Sequence, residues 1–170
     1  MSAFHDDPLA KESVLRAFSQ HYTGRLTVVH GDFSTRNLLL QPYQESKQDD
    51  INLALVDWEL CRYGCITKDL ASMVSCLYIQ WQFEDTPSAE FMLRAFIRGY
   101  GHVSEELVFQ MAGVIAILIV IWEKFGIIIG DMTDARVREV HQHANEFFVG
   151  AAQRDAKWLS QSILSGFLKD

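Results

Sequence analysis

The chain has 170 residues, 49% hydrophobic and 22% charged, with 15 Lys+Arg against 22 Asp+Glu for a formal net charge of −7. That apolar content excludes a disordered chain, three prolines and ten glycines exclude low-complexity or collagen-like sequence, and the length suits one compact domain. Surplus acid with no basic block argues against nucleic acid or an anionic membrane as partner and permits a cationic small molecule.

Met1 to Lys11 places Asp6, Asp7 and Pro8 where a signal peptide would carry basic and then apolar residues. Pro8 to His21 has the spacing of a short amphipathic helix, with Leu9, Val14, Leu15 and Phe18 on one stripe and Thr23-Gly24 as its stop. Leu26 to His30 is a strand-like run that ends at Gly31-Asp32. Asn37 to Gln41 and Ile51 to Val56 are two further apolar runs, expected to be strands joined by a solvated loop over Pro42 to Asp50. Alternation along the second places Leu53, Leu55 and Asp57 on one face and Ala54, Val56 and Trp58 on the other.

From Asp69 onward the pattern predicts only helices. The first runs from Asp69 to Trp81, with Asp69 capping it or complementing its positive end. Pro87-Ser88 opens a second that ends at Tyr100, and Ser104-Glu-Glu opens a third through Lys124, apolar all round from Val114 to Ile121 and therefore buried. Thr133 opens a long final helical region with a break near Gly150. The most apolar run, Met111 to Trp122, has twelve residues against the roughly 20 needed to span a bilayer. The three cysteines, Cys61, Cys65 and Cys76, are odd in number and bunched, which fits reduced thiols rather than a disulfide scaffold. A cytoplasmic location without membrane contact is the expectation. The fold class expected is α+β, mostly α, with a small β-hairpin and four or more helices.

Several features have ordinary readings. Cys61-x-x-x-Cys65 lacks a second pair at zinc-ligand spacing and reads as small buried thiols. His141 and His143 fall on different sides of a helix. Trp81, Phe83, Trp122 and Ile127 to Ile129 read as core, and the acidic pairs Glu84-Asp85 and Glu105-Glu106 as solvated helix ends. A metallophosphoesterase reading of Val-His-Gly-Asp lacks the several His ligands such a site needs.

The turns around the strands carry the chemistry. His30-Gly31-Asp32-Phe33-Ser34-Thr35-Arg36-Asn37 fits H-G-D-x-x-x-x-N, and twenty residues past Asn37 the next strand delivers Val56-Asp57-Trp58-Glu59. A loop Asp can accept the proton of an attacking hydroxyl. An Asn five residues on can offer its amide oxygen to a magnesium ion, and a second Asp can bridge that ion to a triphosphate. With Lys68-Asp69-Leu70-Ala71 following, the three segments in this order resemble the C-terminal lobe of the aminoglycoside phosphotransferase and choline kinase-like family, small-molecule kinases with a protein-kinase-like fold. The motifs cover roughly Leu26 to Trp81.

That resemblance implies Asp32 as the catalytic base, Asn37 and Asp57 as the residues holding Mg2+ with ATP, and Glu59 as a further candidate near the metal. It implies a structural role for Asp69, holding backbone amides of the catalytic loop, and for His30, packing beneath that loop. The implied reaction moves the ATP γ-phosphate to a hydroxyl of a small molecule, a cationic one among the options. Complete relatives also have an N-terminal lobe with a nucleotide-covering loop and a strand Lys. The 31 residues before Asp32 read as a helix and a strand with neither feature, so the expectation for residues 1–170 is the C-terminal lobe alone. The alternative expectation is a truncated, non-catalytic kinase-like fragment serving as a binding or regulatory module. With that alternative goes association through the apolar surface such a lobe would otherwise cover.

Overall fold

In a computed structural model, residues 26–40, 52–126, 128 and 133–168 are described. The helix expected over Pro8 to His21 and the loop over Pro42 to Asp50 lie outside them. Leu26–Val29 forms strand β1, Leu38–Leu40 forms β2 and Leu53–Leu55 forms β3. β2 and β3 pair antiparallel with Leu38 opposite Leu55, the hairpin their apolar runs predict. A fourth strand, β4 (Arg62–Cys65), pairs antiparallel with β1, Val29 opposite Arg62 and Leu26 opposite Cys65. It was not anticipated, because Arg-Tyr-Gly-Cys has neither alternation nor an apolar run; its place is set by the backbone of β1 and not by its own pattern.

Helices make up the rest: α1 (Thr67–Phe83), α2 (Pro87–Tyr100), α3 (Glu105–Lys124), α4 (Asp134–Gln153) and α5 (Ala156–Gln161), closed by a 3-10 segment, Ile163–Leu168. The fold is therefore α+β and mostly α. The start signals work as their chemistry requires: Ser104 Oγ accepts from Leu107 N and Thr133 Oγ1 from Arg136 N, each satisfying one orphan amide. Asp155 does the same for α5, its Oδ1 accepting from the amides of Lys157 and Trp158. The break in the final helical region falls at Arg154, which takes a left-handed φ of 50°, and not at Gly150. Gly150 stays helical because it is the packing site for the Trp158 ring.

α1 and α3 form the centre, with α2 against α1 and α4 along α3. Leu70, Val74, Met111, Ile115, Ile119, Val140 and Leu164 are buried together there, joined by Phe83 and Trp122 as expected. α3 has 20 residues and a mean hydropathy of 1.9, so by length and composition it could cross a membrane. Here 61% of that apolar stretch is buried inside the protein, as in a core helix. The apolar run from Met111 to Trp122 is the central part of this helix, and the flanking turns lengthen it to 20 residues. Cysteine burial also differs from expectation: Cys76 is buried, Cys65 is intermediate and Cys61 is exposed. Cys61 follows a 3-10 turn on the surface, where no core is available to it.

Cβ placed on Gly150 would lie 2.3 Å from two carbons of the Trp158 ring, and that ring also packs edge-on against Phe147. Gly150→Ala should therefore push α5 off α4 and cost about 1–3 kcal/mol, read as a lowered melting temperature in a thermal unfolding scan.

Candidate functional site

The residues of the H-G-D-x-x-x-x-N segment form a tight turn between β1 and β2, held by side-chain hydrogen bonds from several directions. The carboxylate of Asp69, buried in the first turn of α1, accepts from the backbone amides of His30 (2.6 Å) and Gly31 (2.9 Å). Asp69 is thus not the cap of its own helix, which begins two residues earlier at Thr67. Its two oxygens are spent on the turn. Gly31 makes this approach with φ +89°, and a Cβ there would lie 2.5 Å from the Leu60 carbonyl oxygen, so only glycine fits.

His30 is buried and both ring nitrogens are used. Nε2 lies 2.8 Å from the Val56 carbonyl oxygen and so donates, while Nδ1 accepts from the Asp32 amide at 3.3 Å, which assigns the Nε2–H tautomer. Trp58 covers the imidazole at a centroid separation of 4.7 Å. The Asn37 side-chain amide closes the turn: Nδ2 donates to the Asp32 carbonyl at 2.8 Å and to Asp32 Oδ2 at 3.1 Å. With its nitrogen committed to Asp32, the amide leaves Oδ1 as a hard oxygen donor for another partner.

The second Asp is brought to the same place through the main chain. Val56 N donates to the Asn37 carbonyl at 3.0 Å, and the Val56 carbonyl is the group His30 holds. The peptide leading into Asp57 is therefore clamped on both sides. Asp57 itself has φ 67° and ψ 55°, a left-handed conformation that costs a non-glycine residue about 1–2 kcal/mol and that Asp tolerates better than most. This turn ends the strand alternation at Leu55, so Asp57 does not continue the face of Leu53 and Leu55 as the spacing implied. Its carboxylate is exposed, and Glu59 sits exposed two residues further on, in the 3-10 turn Trp58–Leu60.

Four contacts that sequence reasoning missed lock the turn onto the helices. Thr35 Oγ1 lies 2.9 Å from Cys76 Sγ and accepts from Gln80 Nε2 at 3.0 Å, both on α1. Phe33 meets Phe96 of α2 at 6.1 Å, and the Arg36 guanidinium lies 5.9 Å from the Trp122 ring of α3. None has a local signal, since each joins residues far apart in sequence. Ser34 Oγ is buried with no hydrogen-bond partner, a cost of about 1–3 kcal/mol carried within the turn.

An amide oxygen from Asn37 and a carboxylate from Asp57 are hard ligands, and Mg2+ takes few protein groups because it keeps waters and phosphate oxygens. Among the described residues no three His, Cys, Asp or Glu side chains form a metal-sized cluster. That excludes an all-protein cage of such ligands there, and an Asn–Asp pair completed by phosphate is a different arrangement that the residues fit.

The profile of the phosphotransferase enzyme family matches residues 2–112, and the chain belongs to that family. Among curated relatives, a 4-hydroxytryptamine kinase of Psilocybe cubensis is 28% identical over 122 residues, 71% of this chain and 34% of the relative. Its counterpart in Psilocybe cyanescens is 27% identical over the same length, and the phosphotransferase FrzJ of a Cladobotryum species is 29% identical over 85 residues, 49% of this chain and 22% of the relative. The chain thus spans about a fifth to a third of the length of these relatives.

Removing Asp69 orphans two main-chain amides at a buried position. Asp69→Ala should cost about 2–4 kcal/mol in urea unfolding, and the amides of His30 and Gly31 should lose hydrogen-exchange protection before those of α3.

Proposed function

We propose that this chain carries the catalytic turn and metal-binding residues of a small-molecule kinase, which transfers the γ-phosphoryl group of ATP to a hydroxyl. The observation that carries the reading is the closed turn itself: Asn37 bonded to both the carbonyl and the carboxylate of Asp32, with the Asp57 peptide clamped alongside. Asp32 takes the part of general base, with one oxygen anchored by Asn37 and the other positioned to receive the acceptor's proton. Asn37 Oδ1 and the Asp57 carboxylate would hold Mg2+, with Glu59, two residues past Asp57, as a candidate outer ligand. When bound, the ion would neutralise charge on the transferring phosphoryl group. His30 has both nitrogens engaged, so its role is to fix the loop and not to move protons.

Relatives and composition support one class of acceptor. Two relatives are named for phosphorylating 4-hydroxytryptamine, an amine that bears a hydroxyl, and the net charge of −7 suits a cation. We read the acceptor as a hydroxylated organic amine and the working compartment as the cytoplasm. The strands flanking the turn expose Leu26, Val28, Leu39, Leu40, Leu53 and Tyr63, each at least half exposed, an apolar surface of the kind that associates. Association through this face belongs to the same reading.

Asp32→Ala should lower turnover about 10²- to 10⁴-fold while Mg-ATP affinity, measured by isothermal titration, stays near wild type. Asp57→Asn should instead weaken Mg-ATP binding. Nucleotide heats identical in wild type and Asp57→Asn, or absent from both, would overturn the assignment. In sedimentation velocity the wild type should exceed the monomer mass increasingly with concentration, and the paired change Val28→Lys and Leu40→Lys should restore the monomer.

A further inference from the structure

α2 faces the His30–Asn37 turn through Phe96, which meets Phe33. At 100° per residue Arg94 and Arg98 each lie about 160° round the helix from Phe96, and about 40° from one another. They line a cavity of about 490 Å3 whose opposite wall is the closing 3-10 segment, with Ser165 and Gly166. That segment is held close to α2. Val103 N donates to the Phe167 carbonyl at 3.0 Å, and a Cβ on Gly166 would lie 2.8 Å from Ile97 Cγ2. The cavity adjoins an aromatic one between α1, α4 and α5, lined by Tyr78, Trp81, Phe147 and Trp158, where Glu146 also stands.

The two cavities differ in charge. The one against α2 has Arg94, Arg98 and His102 in its wall and, among the described residues, no carboxylate. On a chain of net charge −7 this is a local reversal of sign. Arg98 is exposed and has no ion-pair or hydrogen-bond partner among the described residues. Arg94 bonds one oxygen of Glu90 through Nε and Nη2, which leaves Nη1 and its two protons for another acceptor. An arginine near a helix C-terminus has an ordinary role in complementing the dipole, but that end carries only about half a negative charge. One guanidinium would offset it, and two stand here with a histidine beside them. Ser165 adds a hydroxyl to the facing wall, and Ile97 and Ile163 supply apolar surface.

We propose that the cavity between α2 and the 3-10 segment is a second binding site, for a phosphate monoester of a small organic molecule. Planar guanidinium forks match phosphate oxygens, and a dianion can engage two forks where a carboxylate engages one. The volume accommodates an ester whose apolar part is a single ring or a short chain. A molecule seated there has α2 between it and the His30–Asn37 turn, so the site holds no reacting group. It stands whether or not the chain transfers phosphate.

The test titrates the whole 170-residue chain with phenyl phosphate by isothermal calorimetry, in a phosphate-free buffer with EDTA so that no metal-held phosphate contributes. Benzoate and phenol are the monoanionic and uncharged counterparts. Saturable binding is expected for phenyl phosphate, about tenfold weaker binding for benzoate and none for phenol. Arg98→Gln, a change at an exposed side chain, should weaken phenyl phosphate roughly fivefold with the circular dichroism spectrum unchanged. Glu90→Gln releases Arg94 and should tighten binding about twofold. Asp32→Asn and Asp57→Asn should leave the affinity within about twofold. Equal affinity for benzoate or phenol, an unaffected Arg98→Gln variant, weaker binding by Glu90→Gln, loss of binding in Asp32→Asn or Asp57→Asn, or no saturable signal would each overturn the proposal.

Discussion

One buried carboxylate holds the molecule's chemistry in place. Asp69 lies on the first turn of α1, thirty-nine residues from His30, and its two oxygens take the two consecutive amides that begin the turn. Those amides sit where Gly31 has a left-handed backbone and where no strand or helix ladder can satisfy them. Everything downstream depends on that anchor. The anchored His30 reaches the Val56 carbonyl, the Asp32 amide folds back onto the imidazole, and Asn37 then ties Asp32 to the strand that leads to Asp57. Ionic hydrogen bonds of this kind are about twice as strong as neutral ones, which suits an element that must fix a loop rather than bury it.

α1 gives that anchor its rigidity. Nearly every residue from Thr67 to Ile79 is buried, so the helix cannot rotate to relieve strain at the turn. One face grips the turn through Asp69, Cys76 and Gln80; the other lines the aromatic cavity through Tyr78 and Trp81. Burial and the nearby Glu146 carboxylate push the Tyr78 phenol well above its ordinary pKa, so it keeps its proton while sharing a hydrogen bond with His143 Nδ1. A single stiff helix thereby separates two surfaces of different chemistry, hard oxygens on one side and aromatic rings on the other.

Much of this was legible because it is written locally. Ser104 and Thr133 cap where they were expected to, Pro87 opens α2, and the all-round apolar stretch of α3 is buried. The hairpin of β2 and β3 follows from two apolar runs. What was not legible depends on partners distant in the chain. β4 has no strand pattern and exists because β1 offers an edge; Asp57 leaves the strand because the peptide before it is held by His30 and Asn37. Cys61 looks like a core thiol by type and is exposed because a surface turn precedes it. The 154–155 break between α4 and α5 moved four residues from the glycine that suggested it, since Gly150 is needed for Trp158 and Arg154 accepts the left-handed turn.

Sequence by itself determined the residue types and their order: an aspartate, an asparagine and a second aspartate at H-G-D-x-x-x-x-N and V-D-W-E spacing, and the helices that follow, because capping, periodicity and motif chemistry act over a few residues. Only the tertiary structure decided which of those groups meet. The Asp69 anchor, the His30 tautomer, the left-handed Asp57 and the aromatic cavity behind α1 each arise from side chains tens of residues apart, whose encounter is set by how the core packs and not by any local preference.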